Sequence, residues 1–108
     1  MQITTLKLDG RLDTTRIGEI ELAFNAKAGS LKSDQDAALI DLNGCNYISS
    51  MGIRLLVTTI KQFQRRGVRF MTIKPTSPSV IDTLLLANMS ELLNFSHSEQ
   101  EARNALSN

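Results

Sequence analysis

The spacing of apolar and polar positions changes several times along the chain. Residues 3 to 8, ITTLKL, combine β-branched content with partial alternation, which predicts a short strand. In GRLDTTRIGEIELAFNAKAG the period lengthens: Ile17, Ile20 and Phe24 keep i, i+3, i+7 spacing, predicting a turn and then a helix. Asp13 is placed to cap that helix at its start, and Gly29 to end it in a left-handed conformation. AALIDL, residues 37 to 42, is nearly continuous apolar sequence, as expected of a central strand buried on both faces. NGCNYIS reads as a turn. From Ser50 onward Ile53, Leu56, Val57, Ile60 and Phe63 line one helical face, with Arg54, Thr58, Lys61 and Arg65 opposite. Gly67 closes this helix and VRFMTIK forms the next strand. TSPSVIDTLLLANM then predicts a helix with Ser77 as cap and Pro78 in first position. A short strand near LLNFS and a last helix from Ser98, spaced from Glu101 as in a capping box, complete the chain.

The order is βαβαβαβα, which predicts an α/β fold. A largely parallel or mixed sheet of about four to five strands carries four helices, in a single domain over residues 1–108. Twelve Lys and Arg against eleven Asp and Glu leave a formal charge of +1. That balance supplies no field to hold nucleic acid or an anionic membrane, and a monomer is expected. Lys61, Arg65, Arg66 and Arg69 cluster late in the second helix, but without interleaved aromatics they read as a solvated face. Apolar runs fall well short of the roughly 20 residues of a membrane span. One cysteine, Cys45, and one histidine, His97, leave no metal site and no internal disulfide. A reducing, cytoplasmic setting is expected. His97 lies in the polar stretch NFSHSEQ and reads as a surface residue, Cys45 as a small residue in a turn. Met51, Met71 and Met89 read as core filler, with Met51 also suited to an adaptable contact with a partner.

The candidate chemistry lies in NYISSMGIRLL, where two hydroxyls, Ser49 and Ser50, stand at a helix start. One of them serves as N-cap in the simplest reading. A hydrolytic nucleophile would need a base and an elbow motif that the sequence lacks, and the Gly-Lys-Ser/Thr signature of a phosphate-binding loop is absent. The remaining reading is a phosphorylation site. A phosphate at a helix N-terminus meets free N–H groups and the positive end of the dipole, so its charge can repel a partner without unfolding the domain.

ALIDLNGCNYISSMGIRLL, preceded by LDGRLDTT and followed by GVRFMTIKPTSPSVIDTLLLANMSELLNFSHSEQEAR, resembles the STAS domain of bacterial anti-sigma factor antagonists. The resemblance spans nearly the whole chain, in the order Gly-x-Leu-Asp, a strand ending Asp-Leu, Ser-Ser-x-Gly opening the second helix, and a Ser-Pro-capped helix. It implies a non-enzymatic protein, without cofactor, that binds an anti-sigma factor/serine kinase and so frees a sigma factor for transcription. Phosphorylation of a serine matching Ser50 would break that complex, and a phosphatase would restore it. Ser49 stands where several members carry Asp, and Met51 where Ser, Thr or Ala is usual. The partner surface implied comprises Asn46, Ser49, Ser50, Met51, Gly52 and Arg54, with Asp13 on the rim; Asp41 ends the buried strand near the switch. The family ordinarily carries another strand before the one ending at KLDG, so that edge strand is expected to be missing or very short. The family also includes non-phosphorylated subunits and regulators of transport, secretion or signalling complexes.

Overall fold

The computed structural model describes residues 2–107. Its first half runs β1 (Gln2–Lys7), β2 (Gly10–Leu12), α1 (Thr14–Gly29), β3 (Asp36–Asp41), β4 (Cys45–Ile48) and α2 (Ser50–Arg66). Its second half runs β5 (Arg69–Ile73), α3 (Pro78–Leu86), α4 (Ser90–Leu93), β6 (Phe95–Ser96) and α5 (Glu99–Ser107). Four strands form one parallel sheet in the order β1-β3-β5-β6. The α/β fold with a mostly parallel sheet is therefore the one expected.

β3 explains how the layers are arranged. Ala38, Ile40 and Leu42 point into the larger core, which α1, α2, α3 and α4 close with Ile17, Phe24, Leu56, Ile60, Phe63, Leu84 and Leu93. Ala37 and Leu39 point the other way, onto Ala102 and Leu106 of α5. Alternating side chains of one strand thus fill two cores, which is why its sequence shows no polar alternation.

Two segments read as turns are strands. β2, within GRLD, and β4, within NGCNYIS, pair in parallel as a separate two-stranded sheet, with Leu12 opposite Ile48. β2 is Gly-Arg-Leu and β4 is Cys-Asn-Tyr-Ile, each too short and too polar to carry a strand signature of its own. Cys45 accordingly lies buried at the start of a strand rather than in a turn. SELL, residues 90 to 93 just before NFS, forms the one-turn helix α4 ahead of β6, so among the described residues five helices and six strands replace the four and about four to five expected.

Helix ends follow the sequence signals with two exceptions. Asp13 caps α1 through Oδ1, which accepts from the Arg16 N–H at 2.9 Å. Gly67 ends α2 at φ +71°, a left-handed cap. Ser98 Oγ accepts from the Glu101 N–H at 3.1 Å. Gly29, by contrast, is the last residue of α1 and does not adopt the left-handed conformation. The end of α1 is closed instead by Ser30 and by the Arg66 guanidinium, which donates to the carbonyls of Ala28, Gly29 and Leu31. Ser77 precedes Pro78 as expected, but its hydroxyl bonds Ser79 rather than the helix backbone.

The basic cluster divides for the same reason. Arg69 donates to the carbonyls of Ala105 and Leu106 at the end of α5, as Arg66 does at α1. Both place a cation on the negative end of a helix dipole. Lys61 and Arg65 alone remain a solvated pair on α2.

Candidate functional site

β2 and β4 end in register, Leu12 beside Ile48, and the next residue of each strand is an N-cap. Asp13 caps α1 and Ser49 caps α2. The small sheet therefore starts two helices side by side, and Asp13 comes to the rim of the serine pair because of this register.

The two serines are not equivalent. Ser49 is half-buried and bonded in both directions: its hydroxyl donates to the Leu12 carbonyl at 2.8 Å and accepts from the Gly52 N–H at 3.3 Å. Its own N–H also donates to the Leu12 carbonyl, at 2.9 Å. Ser50 is the first residue of α2, is exposed, and its hydroxyl has no hydrogen-bond partner among the described residues. The capping role falls wholly to Ser49, which leaves the Ser50 hydroxyl free for chemistry from outside.

Gly52 is fixed by packing. A Cβ built there would stand 2.8 Å from the Ile48 side chain and 3.3 Å from both Cβ and the carbonyl of Leu12. The first turn of α2 lies directly on the β2–β4 sheet, and only a glycine lets it do so. Met51 is half-buried and packs against the larger core, while Asn46 and Arg54 are exposed. Arg54 follows Ser50 by four residues, on the same face of the helix. No acidic residue stands in the first turn of α2.

Sequence reasoning missed the pair that flanks this surface. The Arg11 guanidinium lies 4.1 Å from the centre of the Tyr47 ring and its Nε is 3.6 Å from an Asp13 carboxylate oxygen. Arg11 and Tyr47 face each other across β2 and β4, so only the strand pairing could reveal them. Asp41 is occupied locally: its Oδ1 accepts from the Asn43 N–H at 2.9 Å, the turn chemistry of an Asx motif. Burial raises the Cys45 thiol above its ordinary pKa, which keeps it protonated and unreactive. His97 is exposed, as expected. Among the described residues no group of His, Cys, Asp and Glu is placed to hold a metal ion, and no helix is long and apolar enough to cross a membrane.

Comparison with solved structures finds the same fold in an anti-sigma factor antagonist from Mycobacterium paratuberculosis. That match has a TM-score of 0.83 and 17% identity, over 98% of this chain and 86% of the other. The STAS domain of a SulP transporter from Vibrio cholerae matches at a TM-score of 0.73 and 20% identity, over 98% of this chain and 82% of the other. No curated protein sequence matches. The family model for the STAS domain matches residues 1–102, nearly the full length, and the chain belongs to the STAS domain family.

Proposed function

We propose that this protein is a cytoplasmic anti-sigma factor antagonist that works by switching partners. It binds an anti-sigma factor that is also a serine kinase, and a sigma factor is released for transcription. The kinase supplies ATP and phosphorylates Ser50, the complex breaks, and a phosphatase restores the binding form. The observation that carries this reading is the contrast between Ser49, bonded on both sides, and Ser50, exposed and unbonded one residue later. The fold shared with a mycobacterial anti-sigma factor antagonist supports it.

The docking surface in this reading comprises Asn46, Ser49, Ser50, Met51, Gly52 and Arg54, with Asp13 on its rim. A phosphate on Ser50 brings about −1.5 to −2 charges into the middle of that surface. Incubation with the cognate anti-sigma kinase and ATP should place phosphate on Ser50 alone. Ser50→Asp should abolish capture of the kinase, and Ser50→Ala should preserve it. Phosphate on another residue, or capture insensitive to Ser50→Asp, refutes the switch.

The SulP transporter domain of the same fold favours a second reading, a non-phosphorylated STAS subunit or regulator of a transport complex. In that case Ser50→Asp and Ser50→Ala would behave alike, and affinity capture would recover transporter components instead of a kinase.

A further inference from the structure

A cavity of about 480 Å³ opens at the carboxyl ends of β5 and β6, under α3 and α4. It shares no residue with the Ser50 surface, and nothing in the partner-switching reading uses it. In parallel α/β sheets ligands bind beyond the carboxyl ends of the strands, and this volume lies within the range of small-molecule sites.

Its lining combines an apolar wall with a small number of polar and charged groups. Ile81 and Leu85 of α3 and Phe95 of β6 form an apolar side. Lys74 and His97, the residues that follow the adjacent ends of β5 and β6, supply the donors. The Lys74 ammonium lies 5.9 Å from the centre of the Phe95 ring and is in no ion pair among the described residues. Leu85 is 53% exposed, an aliphatic side chain left in water at the edge of the cavity. Glu91 also lines the cavity and is shared with a neighbouring depression bounded by Leu85 and Asn88. With one lysine and one carboxylate in the lining, the site has no excess of positive charge to hold a polyanion such as a nucleotide.

We propose that this cavity binds a monoanionic amphiphile, a carboxylate on an aliphatic or aryl body of roughly ten to twenty non-hydrogen atoms. The acid group is held by Lys74 and His97, and the body covers Ile81, Leu85 and Phe95. Because α3 also packs against β4, the occupied cavity shares a wall with the strand that leads to Ser49.

Titration of nitrogen-15-labelled protein with octanoate and with phenylpropionate tests the site. Saturable shifts should centre on Lys74, Ile81, Leu85, Phe95 and His97, with Kd on the order of 1 mM for ligands of this size. Phenylpropanol, of the same shape without the charge, should bind about threefold to tenfold more weakly. Lys74→Gln, at an exposed position that leaves folding intact, should erase that preference, and Leu85→Asn should weaken acid and alcohol together. Absence of saturable shifts, shifts centred on other residues, or equal binding of acid and alcohol would overturn the proposal.

Discussion

At the scale of single residues, one hydrogen-bond inventory separates two adjacent serines. Ser49 Oγ serves the Leu12 carbonyl and the Gly52 N–H, so Ser49→Ala removes a cap and leaves the Leu12 carbonyl with one donor fewer. The expected cost is about 1–2 kcal/mol, read as a fall in the urea midpoint at unchanged slope. Ser50→Ala removes a hydroxyl bonded to nothing among the described residues and should stay within about 0.5 kcal/mol of wild type. Equal costs at both positions would contradict the assignment. An aspartate at position 49 would keep the acceptor but lose the donor to Leu12. Cys45 yields a second residue-level expectation. Burial raises its pKa above the ordinary 9.0, outweighing the lowering by the Tyr47 backbone, while nearby Asp9 raises it further. Below pH 9.0 the thiol is protonated in both native and unfolded states and costs nothing. As pH rises past that value the unfolded thiol ionises first, so native stability falls. Urea titrations across the alkaline range should show that decline in wild type, with a contribution of at most about 1.4 kcal/mol per pH unit absent from Cys45→Ala.

At the scale of elements, what could be read from the sequence followed the strength of local periodicity. α2 shows a clean apolar face and an αL glycine at its end, and its bounds are those expected; β3 announces itself by a run that fills two cores. β2 and β4 do not, because each is a short bridge whose stability comes from pairing with the other and from the helices it launches. Missing them hid Arg11 and Tyr47, although Asp13, Ser49 and Ser50 were legible from capping and motif order. Gly29 misled for a related reason. A glycine near a helix end is a local cue, whereas the closing group, Arg66, comes from a different helix. The Gly52 position is where helix and small sheet lock together. Gly52→Ala puts a Cβ within 2.8 Å of Ile48, a contact that forces α2 away from β4. Overpacking of this kind should cost about 1–3 kcal/mol by denaturant unfolding, despite the better helix propensity of alanine. A stabilised Gly52→Ala protein would mean that the first turn is not seated on the β2–β4 sheet.

At the scale of the whole molecule, the question is whether a negative group on Ser50 changes the shape or only the charge. The protein carries a formal +1, and a phosphate takes it to about −1. A reversal confined to one surface can redirect partners only if the fold absorbs it, and four features indicate that it does. Ser50 is exposed and its hydroxyl holds no element in place. It stands at the positive end of α2, a helix whose charged residues, Arg54, Lys61, Arg65 and Arg66, are all basic. Arg54 lies one turn further along the same face, within reach of a group on Ser50. The Ser49 cap and the Gly52 seating, which do hold the first turn, are untouched. Ser50→Asp should therefore be neutral or stabilising by about 0.3–1 kcal/mol, a rise in Tm of no more than about 8 °C for a domain of this size. Amide shifts should be confined to the first turn of α2 and the facing ends of β2 and β4, with β5, β6 and α5 unmoved. Arg54→Gln in the Ser50→Asp background should remove part of any gain without altering those distant shifts. A loss of more than about 2 kcal/mol, or shifts spreading into the four-stranded sheet, would show that charge at position 50 acts by damaging the fold. Partner release would then be a consequence of unfolding, and the electrostatic switch would fail as its explanation.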